Sequence, residues 1–593
     1  MLKILTRLFA IIGLLVTLII LVAAIFGSQE QKGAGKIPDA AVLVLNFDEP
    51  IVEQNQPSPL QLAMHEEATP LLDVLHAIDN AKNDPKIKAL VARFGPSQPS
   101  LAHSQELRAA IARFRATGKP TYAFASSYGS FGLGNRAYYL ASAFEEIWLQ
   151  PVGSVGLSGI AIQSPFAKTA LDKIGVKPDF MQREEYKSLM ETATRDDMSE
   201  PARTMMQSMI DDIANQIASG IAESRKWETA QVKSLMDKGP YTESEALKAN
   251  LVTRVGYADE LDEEVEKKLG VEAKAVSVDH YLAATHKKHE KSKAKIALIY
   301  GTGLIVDRNV GPADIGGEKL MGADVIAGAF NAAANDKDVK AILFRVDSPG
   351  GSPEASETIR RAVIHAQKKG KPVIVSMSDV AASGGYWISM NADRIVADAG
   401  TLTGSIGVIS GKFTIQGLLE KLGVRFDTLK TNDEAGMWSL VETFTPAQRE
   451  RMNALLDQTY QAFTKNVSEA RKIPMEKMPE VAKGRVWTGS QALKIGLVDE
   501  LGGFDVALSA IRKKLKLEEK DYMSLELFPE PETPVERVMK LLKTMGVEGA
   551  MIRSTLMQWQ AMQAEIAPLW SDVSSFKKPV NAKMPAAALG AVR

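Results

Sequence analysis

Apolar residues along this chain fall into short Val/Ile-rich runs separated by longer stretches in which they recur at helical spacing. Asp324 to Ala334 reads as a helix, Ala341 to Val346 as a strand, Pro353 to Lys369 as an amphipathic helix and Lys371 to Met377 as the next strand. Strands that alternate with long helices predict βαβ units, because parallel neighbours need a crossover connection. The expected fold class is therefore α/β, a largely parallel sheet covered by helices. Two apolar runs, Ala41 to Leu45 and Ile296 to Tyr300, each open a stretch with this order of elements.

One apolar run is of another kind. Leu8 to Phe26 is uncharged and mostly apolar, with Lys3 and Arg7 before it. As a helix of about 20 residues it matches the roughly 30 Å hydrocarbon core of a bilayer. A cleaved signal peptide is the competing reading, but Ile25-Phe26 stand where small residues would be needed for cleavage. Residues 1–27 are thus expected to be an N-terminal transmembrane anchor, with the rest of the chain on the far side of the membrane from Lys3 and Arg7. A polar, Gly-containing stalk, 28–40, follows.

The body of the chain is written twice. ALVARFGPSQP matches AILFRVDSPGG, GNRAYYLASAFEEIWLQPVGSVG matches ASGGYWISMNADRIVADAGTLTGSIG, and YTESEALKANLV matches WTGSQALKIGLV. The copies lie roughly 250 residues apart, the spacing of a duplicated domain rather than of a solenoid unit. Residues 41–281 form the first α/β repeat and 295–520 the second, joined by a charged linker, 282–294. His286 and His289, within HKKHEKSKAK, have no third ligand beside them, so the segment reads as a solvated linker rather than a metal site. After about Asp521 the duplicated pattern stops. The remaining 521–593 is expected to be a helical tail with an Ala/Lys/Pro-rich disordered end.

The copies differ where chemistry is expected. Ser383 follows a strand and precedes a helix expected near Tyr386, with Gly384-Gly385 next in the chain. A serine at such a turn is exposed, and the amide after it points to where an oxyanion would form. A serine before two glycines is also a common helix N-cap. Gly350-Gly351 end the strand Ala341 to Val346, and the amides of Gly351 and Gly384 together would make a two-donor oxyanion hole. In the first copy Asn135 stands opposite Ser383, and Pro99, which has no N–H, opposite Gly351. The reverse loss affects a base. Lys187, in EEYKSL, faces Ala435 in the copy that kept the serine. A lysine base needs its pKa brought from about 10.4 to about 7 or 8, which burial in an apolar pocket can do. Ser405, in TGSIG, is placed to orient the amine by a hydrogen bond. None of the 7 histidines falls in these loops, and a histidine base supplied by the fold stays open. A working site assembled from both copies is the expectation.

Composition narrows the alternatives. With 45% hydrophobic and 24% charged residues the chain is globular, and a formal net charge of -1 gives no case for nucleic acid. Cys 0 removes disulfides, thiolate catalysis and Cys-based zinc sites.

The motifs SPGGS, ASGGYWIS, TGSIG and YKS together resemble the signal peptide peptidases of the protease IV type, in their long duplicated bacterial form. The resemblance covers the chain from the anchor to about Gly503. It implies two tandem crotonase/Clp-protease-like domains and a serine protease with a Ser-Lys dyad, without metal or organic cofactor. It carries the nucleophile to Ser383, the base to Lys187, the orienting partner to Ser405 and the oxyanion donors to Gly351 and Gly384. It further implies released signal peptides as substrates, a homo-oligomer, commonly a tetramer, and a single-pass protein of the inner (cytoplasmic) membrane facing the periplasm. Flanking Lys187 the chain reads YKSLMETATRDDM where the family often has a YKSA-type stretch. Two alternatives of other classes are a crotonase-like acyl-CoA enzyme and a non-catalytic membrane scaffold.

Overall fold

A computed structural model describes residues 36–54, 68–129, 134–285, 292–308, 319–519 and 521–530. The expected anchor, most of the stalk, the centre of the linker with His286 and His289, and the tail beyond 530 lie outside the described residues. Among the described residues no helix is long and apolar enough to cross a membrane.

The first copy runs β1 (Ala41–Phe47), α1 (Leu71–Asn83), β2 (Ile87–Phe94), α2 (Leu101–Arg115), β3 (Thr121–Ala125), α3 (Asn135–Ala141) and β4 (Glu146–Leu149). Next come β5 (Lys177–Arg183), α4 (Glu200–Arg225), β6 (Arg254–Val255) and β7 (Lys274–Ser277). The sheet order is β6-β4-β3-β2-β1-β7, every pair parallel.

The second copy opens with β8 (Ala294–Thr302), α5 (Ala323–Asn335), β9 (Val339–Ser348), α6 (Pro353–Lys368) and β10 (Val373–Ala382). It continues as α7 (Gly384–Ser389), β11 (Arg394–Ala397), β12 (Leu402–Gly404), β13 (Val408–Thr414), α8 (Pro446–Arg471) and β14 (Val486–Thr488). It closes with β15 (Glu500–Leu501), α9 (Phe504–Lys514) and β16 (Met523–Leu527). Six of its eight strands, in the order β15-β11-β10-β9-β8-β16, repeat the first sheet strand for strand and are parallel, while β12 pairs with the end of β10 and, antiparallel, with β14. Equivalent buried tyrosines lock each copy in the same way: Tyr138 donates to Leu251 O at 2.7 Å, Tyr386 to Leu497 O at 2.9 Å.

Two features differ from the sequence reading. The repeat runs on past the expected 520/521 boundary, because β16 pairs with β8 as β7 pairs with β1. The strand expected to stop at Met377 continues to Ala382. Val346 faces Met377 but Ser348 faces Ala381, so β10 carries extra residues in a bulge, and Asp347 Oδ1 accepts from Val380 N at 3.1 Å within it. Before the bulge β10 pairs with β11, and after it with β12. This change of partner carries the strand end away from the sheet, toward the site.

Central strands buried on both faces read as continuous apolar runs, which is why β9 was legible in the sequence. Helix α6 starts at the Ser352 cap, with Pro353 in its first turn, and buries Ile359, Val363 and Ala366 on one face. The copies share a core: Leu43, Leu45, Leu107 and Ile111 of the first lie in one buried cluster with Ile296, Leu298, Leu343 and Phe504 of the second. Arg345 of β9, 0% exposed, crosses this contact to Glu53 (2.8 and 2.9 Å) and Glu106 (2.6 Å).

Candidate active site

Ser383 occupies the turn between β10 and α7, one residue before the helix, which starts at Gly384 rather than near Tyr386. Its φ of +56° and ψ of -117° are rare for a residue with a side chain, and such strain persists only where neighbours fix it. Ser383 N donates to Gly404 O at 2.8 Å, and Trp387 N donates to Ser383 O at 2.9 Å, which hold the turn from both sides.

The Ser348–Ser352 loop lies against this turn. A β-carbon on Gly350 would fall 2.7 Å from Gly384 N and 2.8 Å from Ser383 Cβ; one on Gly351 would fall 2.1 Å from Ile305 O. Only glycine fits at either position. Ile305 N bonds Gly350 O, and Ser352 N bonds Ile305 O. Among the described residues this leaves the Gly351 amide without a protein acceptor, next to the equally open amide of Gly384 at the start of α7. A β-carbon on Gly384 would lie 3.0 Å from Gly351 N, so the two amides are close neighbours beside the serine.

Lys187 arrives from the first copy. Strand β5 leaves its own sheet and pairs antiparallel with β13 of the second copy, Phe180 opposite Gly411 and Arg183 opposite Val408. Phe180 and Phe413 meet edge to face at 5.1 Å, and Arg183 reaches Asp457 of α8 at 2.6 Å. The chain beyond β5 is thereby delivered to the mouth of the serine turn. Lys187 Nζ lies 3.0 Å from Ser383 Oγ, 2.9 Å from Ser405 Oγ and 3.0 Å from Ser405 O. The lysine is 7% exposed, and burial pushes its pKa down to about 8. A neutral amine has two N–H bonds and one lone pair. Ser405 O can only accept and takes one N–H bond; with Ser405 Oγ accepting the other, the lone pair is left for the Ser383 hydroxyl.

All five residues singled out from the sequence come together here. Their counterparts, Asn135 in the first copy and Ala435 in the second, do not form a second site. Asn135 is held to Ser158 N at 2.8 Å and Gly159 O at 3.2 Å, and Ala435 sits exposed in the short helix Asp433–Gly436. His103 does meet a serine and a carboxylate, Ser378 at 3.2 Å and Glu53 at 2.8 Å, but through the same Nε2 atom. A relay needs opposite ring nitrogens, so this buried trio is no triad. Sequence reading missed the Ser405 carbonyl as a lysine partner and the Ala482–Arg485 segment behind the lysine. The Lys-Gly pair shared by DKGPYT and AKGRVWT was the available signal.

A strained serine, two adjacent amides without protein acceptors among the described residues and a buried amine fit a hydrolase of the serine type. The model of peptidase family S49 matches this chain twice, at residues 113–291 and 365–518, once in each copy. "Protease 4" of Haemophilus influenzae is 34% identical over 517 residues, 83% of this chain and 82% of that protein. A "Putative signal peptide peptidase SppA" of Enterococcus faecium is 36% identical over 182 residues, 31% of this chain and 53% of that protein. Among solved structures, a point mutant of ClpP1 from Listeria monocytogenes aligns with 36% of this chain and 94% of its own at 14% identity, with a TM-score of 0.23. The chain belongs to peptidase family S49 and is a serine protease.

Proposed function

We propose that this chain is a membrane-anchored endopeptidase that degrades released signal peptides by a Ser383-Lys187 dyad. The observation that carries the reading is the 3.0 Å approach of Lys187 Nζ to Ser383 Oγ in a pocket that favours the neutral amine. Lys187 takes the hydroxyl proton as Ser383 Oγ attacks the scissile carbonyl carbon. The carbonyl oxygen, now negative, accepts from the Gly351 and Gly384 amides. Collapse breaks the C–N bond, and the protonated lysine gives its proton to the leaving amine. Lys187 then deprotonates a water that attacks the acyl ester, and the proton returns to Ser383 as it leaves. Ser405 keeps the amine nitrogen aimed at the Ser383 oxygen throughout.

The substrate class is supported by the name of the Enterococcus relative and by the apolar N-terminal run, which would hold the site at a bilayer surface where such peptides are released. Placement in the inner membrane facing the periplasm rests on the motif resemblance, and Lys3 and Arg7 preceding the run support an orientation with the copies on the opposite side from those charges. Homo-oligomerisation, as a tetramer, and kinship of each copy to the crotonase/Clp-protease fold rest on the motif resemblance. The test uses the full-length protein in detergent, a fluorophosphonate probe and a synthetic signal peptide. Labelling mapped to Ser383, lost with peptide cleavage in both Ser383→Ala and Lys187→Ala, is the expected result; labelling of another serine would overturn the dyad.

A further inference from the structure

Behind the lysine runs a piece of chain that bonds both to the lysine segment and to the turn of Ser405. Tyr186 N donates to Lys483 O at 3.1 Å, Gly484 N to Ile406 O at 2.7 Å, and Ser405 N to Arg485 O at 2.8 Å. Three successive residues thus bond in turn to the lysine segment of the first copy and the Ser405 turn of the second. The geometry requires two consecutive left-handed residues, Lys483 at φ +59° and Gly484 at φ +79°. The turn is itself tied down at its flanks. Lys483 N donates to Tyr460 OH at 3.3 Å, Lys483 Nζ pairs with Glu185 at 2.9 Å, and the Arg485 guanidinium lies over the rings of Trp487 (4.1 Å) and Tyr186 (5.5 Å).

Gly484 is where the fit is tightest. A β-carbon there would stand 2.6 Å from Lys187 N, 2.8 Å from Lys187 Cβ and 2.9 Å from Lys187 Cα. Those contacts involve the backbone and the root of the side chain, which cannot be relieved by swinging a side chain aside. In the first copy the matching Gly239 is also crowded, but against Leu157 O and Tyr241, with no lysine segment among its nearest neighbours.

We propose that the Ala482–Arg485 turn is the template that sets the lysine base against its serines, with Gly484 a positioning residue whose missing side chain lets Lys187 come within reach. The proposal rests on the assignment of Lys187 as the base made above. Amine contacts of 2.9 to 3.0 Å tolerate little displacement, and a misplacement of about 1 Å by a residue outside the chemistry can cost on the order of 10²-fold in rate.

Any Gly→Ala change at positive φ strains the backbone, so the test needs a matched control. Gly496 has the same φ of +79°, and a β-carbon there would meet Ile473 Cδ1 at an ordinary 3.9 Å. Gly484→Ala, Gly496→Ala, Arg485→Ala and Lys187→Ala are compared in the full-length protein with a fluorogenic peptide, reading kcat, KM, melting temperature and the pH dependence of kcat. The charged groups on the two segments around the amine, Glu184, Glu185, Lys483 and Arg485, are unchanged in Gly484→Ala. The expected result is a kcat lower by about tenfold or more at nearly constant KM for Gly484→Ala, with Gly496→Ala within about twofold of wild type. The acid limb of the Gly484→Ala profile moves up, toward the range of an ordinary solvated lysine. Equal kinetics and equal pH profiles for the two glycine variants, with Lys187→Ala inactive, would overturn the template and leave the dyad standing. Wild-type activity in Lys187→Ala would overturn both. Should Gly484→Ala not fold, Arg485→Ala decides: a lower kcat with a displaced acid limb supports the template, and a wild-type limb overturns it.

Discussion

Lys187 Nζ and Ser383 Oγ lie 3.0 Å apart although 196 residues separate them in the chain. On the proposed mechanism, replacing the lysine by alanine removes the proton acceptor and leaves the oxyanion donors in place. We expect Lys187→Ala to lower kcat by about 10²- to 10⁴-fold with little change in KM, measured by steady-state peptide cleavage. Lys187→Arg should not restore activity, because a guanidinium keeps its proton. Ser405→Ala should cost less than Lys187→Ala, since Ser405 O still holds the amine.

Burial of Lys187 sets a pH dependence of definite sign. With the amine's pKa pushed down to about 8, the rate should rise about tenfold per pH unit below that value and level off above it. A pH–rate profile flat between pH 5 and pH 8 would contradict a lysine base.

The same burial has a thermodynamic counterpart. A lysine whose folded pKa lies below its unfolded value binds fewer protons when folded, so stability increases with pH between about 8 and about 10.5. Below that window the buried, protonated amine carries its full penalty. Lys187→Met, close in shape and apolar, should therefore stabilise the fold at neutral pH by up to about 3 kcal/mol while abolishing activity. The gain should shrink across that window, as read by denaturant titration at several pH values.

Gly384 admits a more local test of the oxyanion pair. A β-carbon on it would approach Ser356 Oγ to 2.6 Å and Gly351 N to 3.0 Å. Gly384→Ala should reduce kcat/KM by about 10²-fold or more, comparable to loss of one donor. Adding Ser356→Ala removes the nearer obstruction and should recover part of the loss. A double variant no better than the single one would place the damage elsewhere.

Arg345 supports the contact between the copies. It is fully buried and bound to Glu53 and Glu106. Arg345→Ala would leave two carboxylates buried without their cation, and unfolding should become easier by about 3–5 kcal/mol. Because Glu53 and Glu106 belong to the first copy and Arg345 to the second, we expect activity and stability to fall together in this variant. Activity lost at an unchanged midpoint would argue against a structural role.

The duplication, the βαβ order and the residues of the site were legible in the chain. Paired glycines and a serine after a strand survive in one copy, and a lysine in the other. Each signal is local: a face to bury, a turn that tolerates only glycine, an N–H that proline lacks. The meeting of those residues was another matter. Strand β5 pairs with β13 and not with a strand of its own copy; β10 bulges and changes partner before Ser383; and the Ala482–Arg485 turn fills the space behind Lys187. Short strands such as β16, MSLEL, carry too little periodicity to be told from a tail. The sequence alone thus determined which groups exist and which copy holds each. Only the tertiary structure decided that they meet and that burial brings the amine's pKa down to about 8, because edge pairing and desolvation depend on neighbours brought together by the whole fold.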